Sequence, residues 1–186
     1  MILDEPVVAA TDWLLAGGLF AMGSRLRAGP RALFWGLAFV ALVGGTRHGF
    51  RSSLPPFPLE LAWRGALAVF GFSGWSLIRE VGPLRWRRVW DAKLALYLAG
   101  VGVTGSFDFA LVNFTLDAAA ASFILFSSLP ASRCFLSGSA LMGAGAVLLG
   151  LRPPLGGFPP ASVFHFVEFA GLFLWFRHFS ARAANP

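Results

Sequence analysis

The chain has 186 residues, of which 56% are hydrophobic and 13% are charged, and its formal net charge at pH 7 is +6. A soluble domain typically has about 25% charged residues, and a disordered chain has few apolar ones. The composition excludes both classes and predicts a multi-pass membrane protein. Its basic residues form no stripe on a polar module, so we expect no nucleic-acid partner.

Seven hydrophobic stretches approach or exceed the roughly 17 residues that a helix needs to cross a bilayer. They are Ala9–Leu26, Ala32–His48, Leu59–Ile78, Lys93–Asn113, Leu116–Ala131, Cys134–Leu151 and Ala161–Phe179. The connections between them are rich in proline and glycine, and none is long enough for a second domain. The sequence therefore predicts one all-α transmembrane domain over residues 1–186, a bundle of seven membrane-spanning helices.

The basic residues predict how this bundle is oriented. With the N-terminus outside, four of the 15 Lys and Arg residues lie on the outer side and the other eleven on the cytoplasmic side. The four outer residues are Arg47, Arg51, Arg64 and Arg152. An excess of cytoplasmic basic residues is the usual bias of membrane proteins, so we expect the N-terminus outside and the C-terminus in the cytoplasm. The acidic start of the chain does not resemble a signal peptide, and the abundance of Arg, Ala and Gly suggests a bacterial inner membrane protein.

Ionisable residues within the predicted spans concentrate near the outer side. Asp12 lies near the outer end of the first helix, His48 ends the second, and Asp108 falls in the outer third of the fourth. His165 and Glu168 are three residues apart near the start of the seventh helix and share one of its faces. Burying a charge in hydrocarbon costs roughly 2.5–3.5 kcal/mol. We therefore expect these groups to meet in a polar cavity just below the outer surface.

A simpler role is also possible for ionisable residues at helix ends. Glu60, Arg64, Arg47 and Asp117 are expected to reach the outer headgroups and to pair locally, as Glu60 and Arg64 can at a spacing of four residues. The same role is the alternative for Asp108, His165 and Glu168. The middle of the bundle is expected to be apolar, and its inner ends to lack comparable groups.

The outer polar residues are of the types that bind catalytic zinc. Such a site uses three protein ligands, commonly His or carboxylate, and keeps one position open for water. His48 and His165 lie at matching depth on two helices, and Glu168 adds a carboxylate. These three residues are the predicted zinc ligands, and Asp108 or Asp12 would be the acid/base group.

Two short segments carry a resemblance to known families. The segment 44–50, which reads Gly-Gly-Thr-Arg-His-Gly-Phe, and the pair Phe164-His165 are similar to an uncharacterised family of small bacterial seven-helix proteins. A His that ends helix 2 and a His that opens helix 7 of an N-out bundle resemble the CREST superfamily. That superfamily of membrane hydrolases includes alkaline ceramidases and adiponectin-receptor-like proteins.

The CREST resemblance implies a zinc ion held by one His of helix 2 and two of helix 7, with a Ser on helix 2 and an Asp on helix 3. His48 and His165 match two of the ligand positions. Ala161 stands where the resemblance implies the other His of helix 7, and Gly44 stands where it implies the Ser of helix 2. Helix 3 has no Asp. The resemblance thus implies either that Glu168 or Asp108 substitutes as the third ligand or that the site has degenerated.

Three functions follow as alternatives. The first is a zinc-dependent lipid amide hydrolase of the CREST type. The second is a non-catalytic seven-helix membrane protein whose polar pocket binds a membrane lipid or a partner. The third is a redox membrane protein in which His48 and His165 are the axial ligands of a haem. A retinal protein is excluded because the single lysine, Lys93, lies on the predicted fourth helix and not on the last.

Overall fold

The structure is a computed structural model that describes residues 3–127, 132–151 and 158–184. These ranges contain seven α-helices and, between the third and fourth, a short 3-10 helix at Leu84–Trp86. The α-helices are α1 (Pro6–Gly23), α2 (Ala28–Phe50), α3 (Pro56–Val81), α4 (Arg87–Thr104), α5 (Phe107–Phe126), α6 (Arg133–Leu151) and α7 (Pro160–Ala184). The predicted end of the fifth helix at Ala131 and the outer residue Arg152 lie outside the described ranges.

Five of these helices, α1, α2, α3, α5 and α6, are long and apolar enough to cross a membrane. The other two are more polar, and α4 carries four charged residues in its first two turns: Arg87, Arg88, Asp91 and Lys93. The chain is therefore an all-helical, membrane-embedded protein.

Six of the helices form a ring. The helices α1, α2, α3, α5, α6 and α7 each pack against the next in this order, and α7 packs against α1. The remaining helix, α4, packs on the outside of the ring against α3 and α5. Stacked aromatic pairs lie between ring helices, with centroids 4.7 Å apart for Phe70 and Phe114 and 4.5 Å apart for Phe135 and Trp175. This arrangement leaves the middle of the ring as the place for a site.

The predicted boundary between the fourth and fifth helices was wrong. The fourth helix ends at Thr104, and the fifth runs from Phe107 through 113–116 without a break. Gly105 ends α4 with a φ of 57°, a left-handed conformation that glycine adopts without steric cost. The Ser106 hydroxyl then accepts a hydrogen bond from the Phe109 N–H at 3.4 Å and caps the start of α5.

This boundary moves Asp117 from the outer end of a helix to the middle of α5. Lys93 Nζ donates to Asp117 Oδ1 at 2.8 Å and to Asn113 Oδ1 at 2.6 Å. Asp117 is 2% exposed, and Gly74 of α3 leaves the space that its carboxylate occupies. The expectation that the middle of the bundle is apolar was therefore wrong, because a charged pair attaches α4 to α5 there.

Candidate binding cavity

A cavity of about 660 Å³ lies within the ring. Residues of α1, α2, α3, α5, α6 and α7 line it, and so do all five predicted site residues: Asp12, His48, Asp108, His165 and Glu168. Ligand pockets commonly enclose roughly 300–1,000 Å³. The structure thus brings the five residues to one cavity of a size suited to a small molecule or part of a lipid.

The cavity is polar at one end and apolar at the other. Arg47 and His48 lie in the last turn of α2, and Asp108 lies in the first turn of α5, so they surround the end that faces the 51–55 connection. Leu37 lies ten residues before Arg47 on α2, on the order of 15 Å further along the helix axis. Phe70 of α3 also lines this deeper part. The cavity is therefore amphipathic along its length.

His165 is held by two polar contacts to α1. Its Nδ1 lies 3.0 Å from Thr11 Oγ1, and its Nε2 lies 3.3 Å from Asp12 Oδ1. The Thr11 hydroxyl also lies 2.9 Å from the Val8 carbonyl, and when it donates its single hydrogen there, His165 Nδ1 is the donor to Thr11. His165 Nε2 lies within ion-pair distance of the Asp12 carboxyl group. These two side chains bring an imidazole and a carboxyl group together beside the cavity.

His48 is paired with the segment that precedes α1. Its Nδ1 lies 2.9 Å from Glu5 Oε2, and its backbone carbonyl accepts from the Glu5 N–H at 3.0 Å. The Asp4 carboxylate accepts hydrogen bonds from the Ser52 hydroxyl at 2.6 Å and from the Ser52 N–H at 2.7 Å. These two bonds, the hydroxyl bond first, hold the pKa of Asp4 below its ordinary value. The start of the chain is thereby fixed to the end of α2.

Arg47 lies at the polar end of the cavity against α3. Its guanidinium is 4.7 Å from the centre of the Trp63 ring, and its Nη1 is 3.7 Å from Glu60 Oε2. Nη1 is buried and has no hydrogen-bond partner within the described ranges. Glu60 also accepts a hydrogen bond from Arg64 Nε at 2.9 Å, which confirms the predicted pairing four residues apart.

Two carboxyl groups of the cavity lack partners. Among the residues that the structure describes, Glu168 and Asp108 form no hydrogen bond through their side chains and no ion pair. Glu168 lies close enough to Asp12 for the two carboxyl groups to interact electrostatically. The cavity therefore presents unpaired acceptors on α5 and α7.

The sequence of almost the whole chain matches one family, over residues 7–184. The chain belongs to DUF6962, a family of unknown function. No curated protein and no solved structure shows significant similarity to it. What can be said of the site of this DUF6962 protein therefore comes from its own residues.

The zinc site predicted for this DUF6962 protein does not form as arranged. In the described part of the chain, no three His, Cys, Asp or Glu side chains are grouped closely enough to hold a metal ion. His48 Nδ1 is paired with Glu5, and both ring nitrogens of His165 are in polar contact with α1. Binding of zinc by His165 would require one of its two contacts to α1 to break, and the described residues place no group of three such ligands together, so the residues as placed do not fit the ion.

Sequence reasoning missed the partners of the two histidines. Thr11 and His165 are 154 positions apart, and Glu5 and His48 are 43 positions apart. No spacing rule connects residues so distant along the chain. A weak signal was present for Thr11, since it is adjacent to Asp12, which was predicted to face the cavity.

Proposed function

We propose that this membrane protein binds an amphipathic molecule, a membrane lipid, in the cavity of its helix ring. The polar group of the lipid would lie among Arg47, Asp108 and Glu168, and its apolar chain would extend along Leu37 and Phe70. The observation that carries the proposal is the amphipathic cavity of about 660 Å³ in the ring. Apolar walls with a few convergent polar groups are typical of binding sites for small organic ligands.

The membrane setting supports a lipid as the occupant. Five apolar helices surround or adjoin the cavity, so the acyl chains of the bilayer are the most abundant apolar ligand near it. With the proposed seven spans and an outside N-terminus, the polar end of the cavity would lie in the outer leaflet, where lipid headgroups are found. Localisation in a bacterial inner membrane stays a prediction from composition.

The experiment fills the cavity without disturbing the packing of the ring. Ala146 of α6 lines the cavity, whereas Ala144 on the same helix is exposed and does not line it. Wild type, Ala146→Phe and the matched control Ala144→Phe would be purified in mild detergent, and their bound lipid would be quantified by mass spectrometry. We expect stoichiometric lipid in wild type and control, and a clear loss in Ala146→Phe. Equal lipid in both variants, or no lipid in wild type, would contradict the proposal.

The zinc-dependent hydrolase of the CREST type and the haem protein stay predictions, and the geometry supports them less. His165 cannot ligate a metal through either ring nitrogen without losing a contact to Thr11 or Asp12. Elemental analysis and an absorbance spectrum of the purified protein test both. We expect neither stoichiometric zinc nor a Soret band. Stoichiometric zinc that is lost in His48→Ala would favour the hydrolase over lipid binding alone.

A further inference from the structure

The polar groups of the cavity differ in whether their bonding capacity is filled. His48 is paired with Glu5, and His165 is in contact with Thr11 and Asp12. By contrast, Arg47 Nη1 is buried without a hydrogen-bond partner in the described ranges. Buried polar groups in native proteins nearly always have a partner, so an unfilled buried donor beside a cavity indicates a ligand that accepts from it.

The unfilled groups have opposite charges and lie on different sides of the cavity. Arg47 is held on the α2–α3 side by the Trp63 ring and by Glu60, whose Oε2 lies 3.7 Å from Nη1, beyond hydrogen-bond distance. Glu168 and Asp108, which lack partners among the described residues, lie on α7 and α5. A ligand that satisfies both sides needs an acceptor for the guanidinium and a donor for a carboxylate, and an anionic and a cationic group supply the strongest such bonds.

The walls of the cavity also suit a cation. Four aromatic side chains line it: Trp63, Phe70, Phe107 and Phe164. The face of an aromatic ring attracts an ammonium group within about 6 Å of its centre. These rings come from α3, α5 and α7, so an ammonium group paired with Glu168 or Asp108 would have aromatic neighbours.

We infer that the ligand is zwitterionic and that its headgroup is of the phosphoethanolamine type. The phosphate would accept hydrogen bonds from Arg47, and the ammonium group would donate to Glu168 or Asp108. Charge-assisted hydrogen bonds of this kind are the stronger ones in proteins. A purely anionic headgroup would supply no cation for either carboxyl group. A purely cationic one would supply no acceptor for Arg47 Nη1. This inference rests on the proposed lipid binding, which supplies the apolar part of the ligand.

The test compares lipids that differ only in headgroup. Phosphatidylethanolamine and phosphatidylglycerol with identical acyl chains would be titrated into delipidated protein in detergent, followed by native mass spectrometry. We expect phosphatidylethanolamine to bind about tenfold more tightly, the effect of one charged hydrogen bond. Arg47→Gln, Glu168→Gln and Asp108→Asn would each test one group. We expect Arg47→Gln, and at least one of Glu168→Gln and Asp108→Asn, to reduce the preference for phosphatidylethanolamine over phosphatidylglycerol.

The inner-end ion pair between Arg27 and Glu80 supplies the matched control, because it is far from the cavity. Arg27→Gln and Glu80→Gln should leave the preference unchanged. Asp108 is exposed and unpaired among the described residues, so Asp108→Asn tests the inference even if Glu168→Gln fails to fold.

The outcomes separate this inference from the function on which it rests. Equal binding of the two lipids would overturn the zwitterionic headgroup while leaving lipid binding intact. Binding of neither lipid would overturn the proposed function. Soluble glycerophosphoethanolamine gives a third arm. If it binds as tightly as the intact phospholipid, the headgroup chemistry is supported, but the occupant is a soluble zwitterion and not a lipid.

Discussion

His165 Nε2 lies 3.3 Å from Asp12 Oδ1, and this contact joins the last helix of the ring to the first. Both side chains are largely buried: that of His165 is 12% exposed and that of Asp12 is 7% exposed. Because α1 packs against α2 on one side and α7 on the other, the pair lies where the ring closes. The same two side chains form part of the cavity wall. The contact is therefore part both of the closure of the ring and of the wall of the site.

Replacing Asp12 by Ala should destabilise the protein through the loss of this contact. We expect the free energy of unfolding in detergent to fall by about 1–3 kcal/mol, the cost of leaving a buried polar partner unsatisfied. In a His165→Ala background the same substitution should cost much less, because its partner is already absent. Denaturant unfolding of the four proteins gives the coupling. Additive effects of the two substitutions would show that the contact contributes no stability.

Removing Lys93 should be more damaging than removing a comparable surface cation. Lys93→Met leaves the Asp117 carboxylate buried without its charged partner, since the Asp117 side chain is only 3% exposed. We expect a loss of about 3 kcal/mol, the lower end of the range for broken buried pairs, because the Lys93 side chain is 27% exposed. Arg27→Met, which breaks an exposed pair with Glu80, should cost at most about 1 kcal/mol. Equal losses would contradict a buried role for Lys93.

Two glycines of α3 offer a matched test of how closely α4 approaches. A Cβ at Gly71 would collide with the Tyr97 ring of α4, whereas a Cβ at Gly65 would meet no atom within 4 Å. Gly71→Ala should therefore lower the free energy of unfolding by about 1–3 kcal/mol through overpacking. Gly65→Ala should be neutral or slightly stabilising, since alanine is the better helix former. A Gly71→Ala protein as stable as wild type would mean that α4 is not closely packed.

The pattern of apolar and ionisable residues predicted much of the fold and of the site. Seven apolar stretches predicted seven helices, and the described ranges contain seven α-helices. The apolar stretches were informative because a helix in hydrocarbon requires a long run of apolar residues. The five predicted site residues all line one cavity because the cost of burying charges in lipid drives them to a shared interior space. The six-helix ring and the position of α4 outside it depend on helix packing, which no single-chain pattern encodes.

The error at the fourth and fifth helices has a physical cause. Asn113 and Asp117 were interpreted as residues of helix ends because polar side chains are costly within a span. The structure pairs both with Lys93, which lies 20 and 24 positions earlier on the neighbouring helix. Because their polar atoms bond to each other, paired side chains can lie within a membrane-embedded helix. Polarity alone therefore could not locate the boundary between the fourth and fifth helices. The Gly105-Ser106 pair, which breaks the helix, was the better signal.

The Asp4 carboxyl group should titrate below the ordinary value of 3.8 for an aspartate. Its folded pKa is lowered by the Ser52 hydrogen bonds, so their stabilisation is present above the unfolded pKa and is lost as the pH falls through the folded value. Carbon-13 NMR of the labelled carboxyl group gives the midpoint directly. Ser52→Ala should raise this midpoint, while Ser53→Ala should not. An unchanged midpoint in Ser52→Ala would show that the Ser52 hydroxyl does not donate a hydrogen bond to Asp4.

The single cysteine allows the proposed seven spans to be tested. Cys134 is exposed in the first turn of α6, and Ser53 is exposed in the connection between α2 and α3. The helices between Ser53 and Cys134 are α3, α4 and α5. If all three cross the membrane, the two residues lie on opposite sides. If α3 and α5 cross and α4 does not, the two residues lie on the same side. An impermeant maleimide should label Ser53→Cys, in a Cys134→Ser background, in intact cells. Cys134 itself should react only after permeabilisation.

The same labelling decides whether α7 crosses. Ala181 is exposed near the end of α7, and α6 and α7 together separate it from Cys134. If both helices cross, Ala181→Cys in the cysteine-free background should be protected in intact cells, as Cys134 is. Labelling of Ala181→Cys from outside would mean that α7 does not span the bilayer. Labelling of Cys134 from outside would mean that α4 does not span or that the N-terminus is inside. Because the polar end of the cavity lies at the last turn of α2 and the first turn of α5, this orientation also determines on which side of the membrane that end lies.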